Sequence, residues 1–443
     1  MKKELCGIQE GYQPFVIQKL VKKHKFHCHV ASNEVQLFFL KEVLERIAPE
    51  IKVFTFSEWD TVPYDRVSPK SDIEGQRIET LCQLADDKLN EKTLILTTPA
   101  AILQKVPPVS YFKDAIFNLQ KGDIVSFEKL KSFLVKNGYK LVNTVVNQGE
   151  YALRGGLIDI YPAGRDHPVR LDFFDDELDE IKSFDELTQR TLHPLVSVSL
   201  KPMAEFDLEE ESIKRFRTRY RSLFFNVSQD YIYEAVSNKI FTAGLEHFLP
   251  LFHEKLVPFF DYLKEMSVSF DFQTLRSFEA KEEQIHEYYD ARKEGSDTTY
   301  LEEVQKYNPV PIQEMFLSVQ EVLTLLETRA FYTFSPFKEP DKEDMCSLKG
   351  KSFVETRLQN PNDVFKEVAS FIQNNPKKVI VTAVSFGAGE RLKGLLREEG
   401  IDLFSAETFN EALKKAPSLL IAPFETGFET KEFALITETD ILG

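Results

Sequence analysis

The sequence predicts an α/β multidomain protein, on three observations. Residues 1–119 and 351–443 alternate short apolar runs with amphipathic stretches, the pattern of a parallel sheet with helices on its faces. Residues 120–202 instead carry one amphipathic stretch and then closely spaced β-runs joined by turns, which reads as a small α+β unit. The length of 443 residues allows two to four domains at about 100 to 200 residues each, and 42% hydrophobic residues can fill a core in every one.

In chain order, strands are expected at 26–30, 53–56 and 93–98. A helix is expected over 33–47, with Ser32 as its N-cap and Val35, Phe39, Val43 and Ile47 forming one apolar stripe at four-residue steps. Trp59-Asp60-Thr61-Val62-Pro63-Tyr64-Asp65 is too rich in turn formers for regular structure. Ser68-Pro69 should open the next helix, because Ser caps free N–H groups and Pro at the first helical position has none to satisfy. In the α+β unit, a helix over 127–137 lies between Ser126 and Gly138. Residues 203–334 read as mixed and helix-rich, with helices over 277–292 and 311–327. The stretch 335–350 is dense in charge and proline and reads as a linker. Beyond it come a helix over 363–372, a strand over 379–383, a helix over 387–399, and strands over 419–422 and 433–437. The chain stops directly after that last strand, and a longer protein is expected.

Composition excludes several functions. The 71 acidic side chains outnumber 55 basic ones, and a formal charge of −16 repels a phosphate backbone, which argues against a general nucleic-acid binder. Cys6, Cys28, Cys82 and Cys346 have no C-x-x-C spacing, so neither a disulfide framework nor a cysteine-rich zinc site is supported; a reducing cytoplasm fits. No run of about 18 apolar residues occurs, and the first residues do not form a signal peptide, so no membrane partner is expected.

Two stretches carry functional signals. Leu5-Cys6-Gly7-Ile8-Gln9-Glu10-Gly11-Tyr12-Gln13-Pro14 stands where a nucleotide-binding domain places G-x-x-x-x-G-K-[ST] before its first helix. That loop needs glycines for close backbone approach, a lysine for the β/γ-phosphates and a hydroxyl for magnesium. Here Gly7 keeps its place, Gln13 takes the lysine position, Pro14 takes the hydroxyl position and Glu10 brings a carboxylate to the phosphates. The expectation is a degenerate loop that keeps the fold without binding nucleotide.

The second stretch comprises two strands, within 149–162 and 168–177. Period-two alternation places Val169, Leu171 and Phe173 on a core face and Arg170, Asp172 and Phe174 on the other. An exposed aromatic beside arginine has the composition of a protein-binding hot spot. Arg154 precedes Gly155-Gly156, where bare backbone admits another chain. The alternative is that Phe174 covers the domain's own helix and the arginines pair with Asp172 or Glu177.

Gly149-Glu150-Tyr151 through Arg154-Gly155, then Arg170-Leu171-Asp172-Phe173-Phe174-Asp175-Asp176-Glu177 and Gln189-Arg190-Thr191-Leu192, resemble the bacterial transcription-repair coupling factors, the Mfd family. They resemble the excision-repair helicase UvrB more loosely. The resemblance continues through Trp59, Val62, Pro63-Tyr64-Asp65, Ser68-Pro69, Asp72-Ile73, Arg77, Ala243-Gly244-Leu245-Glu246 and Thr437-Glu438-Thr439-Asp440, and so covers essentially the whole chain. It implies the N-terminal half of such a factor, with a UvrB-like module. Domain 1, a degenerate P-loop-type parallel sheet (1–119 and 203–334), is interrupted by the inserted α+β domain 2 (120–202). A linker (335–350) and a small C-terminal α/β domain 3 (351–443) follow. The resemblance further implies that domain 2 binds UvrA, the damage-recognition ATPase, through the positions matching Arg154, Arg170 and Phe174. It assigns ATP, magnesium, RNA polymerase and double-stranded DNA to domains beyond Gly443, and implies an intramolecular contact with a C-terminal regulatory domain.

Other clusters read as structural. His24, His27, Cys28 and His29 are the densest set of potential ligands, yet His27 and His29 share a strand face opposite Cys28, and no fourth ligand converges. Lys214, Arg215, Arg217, Arg219 and Arg221 follow Glu209-Glu210-Glu211, a charge order that complements a helix dipole. Asp175-Asp176-Glu177 and Asp179-Glu180 read as an acidic turn. No catalytic constellation can be assembled. The expected function is a noncatalytic adaptor docking UvrA, with no cofactor or metal of its own. The alternative is a UvrB-type ATP-dependent DNA-processing enzyme, against which Gln13 argues.

Overall fold

Seven parallel strands form the first sheet, in the order Glu343–Asp344, Lys2–Cys6, Phe331–Phe334, Ser267–Phe270, Phe26–Val30, Thr93–Thr97 and Lys52–Phe56. The computed structural model describes residues 2–86, 89, 92–113, 115–224, 230–297 and 307–443. Thr93–Thr97 is buried at every position, which is why it reads as a continuous run rather than an alternation.

The helix Glu34–Ile47 forms as expected, but its cap is Asn33, whose side chain accepts from the Gln36 N–H at 2.9 Å. Ser32 is engaged elsewhere, its N–H donating to the Asp271 carboxylate at 3.0 Å. The buried stripe is Leu37, Leu40, Val43, Leu44 and Ile47, and Val35 is 76% exposed. Four-residue steps drift around a helix by about 40° each, so a stripe anchored at Ile47 has turned away from the core by Val35.

The next helix is Ser71–Ala85, and Ser68-Pro69 lies outside it. The Ser68 hydroxyl donates to Glu246 at 2.8 Å and accepts from the Gly244 N–H at 3.1 Å, so it joins distant segments instead of capping. The helix expected over 311–327 is two, Ile312–Met315 and Val319–Glu327, because Ser318 and Glu321 form a capping box that starts a new helix.

The third sheet runs Leu348–Lys349, Phe428–Glu429, Phe433–Thr437, Lys378–Ala383, Ser418–Ile421 and Phe404–Ala406, the last four strands parallel. Helices Val364–Asn374 and Phe386–Glu398 flank it. A short helix, Glu438–Leu442, follows the strand after which the sequence was expected to stop, and Thr437 and Asp440 cap it reciprocally. The stretch read as a linker supplies a strand to each sheet: Glu343–Asp344 pairs with Lys2–Cys6, and Leu348–Lys349 pairs with Phe428–Glu429.

Helix Gln13–His24 lies between these two sheets. It buries Pro14, Phe15, Val16, Ile17, Leu20 and Val21 and leaves Lys19, Lys22 and Lys23 exposed, so it packs by one broad apolar face. Its Phe15 ring sits 4.7 Å from Phe409, 5.6 Å from Phe428 and 5.9 Å from Phe433.

Candidate protein-docking surface

A two-stranded antiparallel ribbon, Phe117–Gln120 with Ser197–Leu200, carries the chain into and out of the α+β unit. Between them a six-stranded sheet runs Thr191–Leu195, Glu177–Phe184, Val169–Phe174, Leu157–Ile160, Glu150–Arg154 and Lys140–Leu141. Helix Phe127–Lys136 closes one face, burying Leu130 and Leu134 in the cluster that holds Tyr151, Ile158, Leu171, Leu178 and Ile181. Val169, Leu171 and Phe173 point to this core and Phe174 does not; it is 75% exposed. Phe174 therefore does not cover the domain's own helix.

Strand register puts Arg154, Leu157 and Asp172 in one cross-strand row and Ala152, Asp159, Arg170 and Lys182 in the next. Phe174 follows Asp172 by two residues, so Arg154, Arg170 and Phe174 share the face opposite the helix. Their environments differ. Arg170 forms a bidentate pair with Asp159, Nε to Oδ1 at 2.6 Å and Nη2 to Oδ2 at 2.8 Å, and its guanidinium lies 4.7 Å from the Phe184 ring centroid. The sequence alternative named Asp172 and Glu177 as partners; the cross-strand neighbour Asp159 takes that place. An aspartate inside the apolar run Leu157-Ile158-Asp159-Ile160 was the signal for it. Arg154 is exposed, and its Nη2 donates to the Asn143 carbonyl at 2.8 Å and the Thr144 hydroxyl at 3.3 Å.

The glycines fix the height of the neighbouring turn. Gly155 adopts φ +63°, and the space above it is open. The Gly156 carbonyl accepts from the Phe173 N–H at 2.9 Å, and a Cβ on Gly156 would stand 2.7 Å from the Phe173 oxygen. Only glycine permits this approach, which holds the turn level with Phe174.

At the nucleotide-loop position, Gly7 adopts φ +63° and its carbonyl accepts from the Ser347 N–H and hydroxyl, at 3.0 and 2.6 Å. A Cβ on Gly11 would lie 2.2 Å from the Thr426 oxygen, so the 424–428 segment seals that side. Gln13 and Pro14 are buried, and Gln13 accepts from Gln36 at 3.3 Å. Burial, then the nearby Glu425 and Asp271, push the Glu10 carboxyl above its usual range. Its surroundings are already acidic.

The histidine cluster is a hydrogen-bond ladder. His27 meets the Ser267 and Ser269 hydroxyls at 2.8 and 2.7 Å, and His29 meets Ser269 at 2.8 Å. Among the described residues, no group of three His, Cys, Asp or Glu is placed to hold a metal. In the basic helix Glu210–Leu223, Arg215 donates to the Phe252 carbonyl and Arg219 to the Pro250 and His253 carbonyls, so part of that face is stitched into the fold instead of solvated. No helix among the described residues is long and apolar enough to cross a membrane.

Two family models match the chain: UvrB interaction domain over residues 117–206, and MFD, D3 domain over residues 371–441. The chain is 30% identical to the transcription-repair-coupling factor of Haemophilus influenzae over 413 residues, covering 90% of this chain and 35% of that protein. It is 31% identical to the factor of Escherichia coli over 417 residues, with the same coverage, and 27% identical to that of Rickettsia bellii over 432 residues, covering 97% and 38%. The chain thus spans little more than a third of the length of these relatives.

Proposed function

The chain belongs to the transcription-repair-coupling factor family, as an N-terminal region of it, and from this we propose that it is a noncatalytic adaptor that recruits UvrA to stalled transcription complexes for excision repair. The observation that carries the reading is the exposed Phe174 on a rigid sheet face with Arg154, within the residues matched as a UvrB interaction domain. Phe174 is the desolvated anchor. Arg154 supplies charge-assisted hydrogen bonds, and Arg170, held by Asp159, buttresses the face. RNA polymerase, double-stranded DNA, ATP and magnesium belong in this reading to the remaining two thirds of the full-length protein, whose regulatory domain covers the same face until it is needed.

A UvrB-type nucleotide-dependent enzyme is the second reading. Gln13 and Pro14 at the lysine and hydroxyl positions, the seal at Gly11 and the acidic surroundings of Glu10 favour the adaptor. Competition for UvrA between this chain and UvrB tests the proposal. The adaptor reading expects displacement of UvrB by wild type and none by Phe174→Ala, with ATP giving no thermal stabilisation. Simultaneous binding of both proteins, or a nucleotide-dependent rise in melting temperature, would overturn it.

A further inference from the structure

We infer that Ile124 is a second apolar anchor of the same docking surface, and that the partner meets it with two apolar clefts framed by basic side chains. The inference rests on the docking reading above and deepens it.

Ile124 is 83% exposed, just before helix Phe127–Lys136. It is not on a loose loop. The segment lies antiparallel against the hairpin that follows Phe174, with Val125 N–H donating to the Asp176 carbonyl at 2.8 Å, Leu178 N–H to Asp123 at 2.9 Å and Gly122 N–H to Leu178 at 2.8 Å. This pattern makes Ile124 and Glu177 a bridged pair, and Glu177 is in turn paired with Phe174. Directly paired residues point to the same side of a sheet, so Phe174, Glu177 and Ile124 form one row across three strands on the solvent face. Paired Cα spacings of about 4.5 to 5.5 Å put the two apolar side chains about 10 Å apart, with the Glu177 carboxylate between them.

Two large apolar groups held on a hydrogen-bonded backbone, separated and bordered by charge, have the anatomy of paired hot spots within a polar rim. The border is acidic, since Asp175, Asp176 and Glu177 are all exposed. Charge complementarity therefore points to a partner that is basic around its clefts, and continuity with Phe174 points to the same UvrA-type partner in preference to a second copy of this acidic chain.

The test is titration of UvrA with wild type, Phe174→Ala, Ile124→Ala and Ile124→Leu, alongside their unfolding midpoints. Ile124→Ala should weaken binding about tenfold with an unchanged midpoint, Ile124→Leu should retain most of it, and raising ionic strength should weaken wild type. If wild type does not bind UvrA, the docking reading itself fails. If Phe174→Ala weakens binding and Ile124→Ala does not, only the second anchor is overturned. Self-association of wild type that Ile124→Ala abolishes would overturn it too, assigning Ile124 to a contact between copies.

Discussion

Phe174 and Arg170 lie on the same face of one strand, four residues apart, yet a substitution at each reports on a different property. Phe174 touches little of its own protein, so Phe174→Ala should leave folding stability within about 0.5 kcal/mol of wild type. Arg170→Ala leaves the buried Asp159 carboxylate without its cation, and should cost about 3 kcal/mol or more in urea unfolding. A binding defect in the arginine variant therefore mixes lost contact with lost fold, and the phenylalanine variant does not. The buried histidines set a pH dependence. Burial lowers His247 from an ordinary 6.5 to about 4, so it binds a proton more readily unfolded. Its contribution is complete above about pH 6.5 and is lost as pH falls toward about 4. His247→Phe should therefore lose less stability than wild type between about pH 7 and about pH 5, measured by urea unfolding at each pH; equal losses would contradict the assignment.

Arg77 joins a helix, a strand and a connecting segment through one side chain. Fully buried, it donates from Nε to Glu205 at 2.8 Å and from Nη1 to the Ser57 carbonyl at 2.8 Å, with Phe56 and Trp59 rings 4.2 and 5.4 Å from its guanidinium. Helix Ser71–Ala85, strand Lys52–Phe56 and the 205 segment thus meet at one cation. Arg77→Met should destabilise by about 3 to 5 kcal/mol in urea unfolding, and adding Glu205→Leu should restore part of that loss, because the penalty lies in the orphaned carboxylate. Elements with a local signature were legible: helix Phe127–Lys136 and the alternating strand Val169–Phe174 follow from periodicity alone, and the latter exposed Phe174 as a candidate anchor. The two short strands at 343–344 and 348–349 were not, since their hydrogen-bond partners lie near residue 5 and residue 429, and backbone pairing leaves no mark on side-chain order. The Arg170–Asp159 pair was half legible: an aspartate within an apolar run marked one partner, and only the strand register supplied the other. Ile124 was missed because the apolar pair Ile124-Val125, between Asp123 and Ser126, is too short to show a period.

At the scale of the molecule, the first and third sheets share a core around Phe15, and the 424–428 segment packs against the loop at Gly11. Gly11 is a point of close approach. Gly11→Ala, with its methyl 2.2 Å from the Thr426 oxygen, should force the segments apart and make the third-sheet unit separately sensitive to limited proteolysis, while wild type resists as one body. The α+β unit continues the first sheet's core and packs on helix Ser71–Ala85 at Gly75, and it presents Phe174 on an exposed, patterned face. Isothermal titration of this chain with purified UvrA, wild type beside Phe174→Ala, tests that claim most directly. Saturable binding by wild type and a loss of about 2 kcal/mol, or about 30-fold, in the variant are expected. Equal affinities of wild type and variant, or no binding by either, would contradict it.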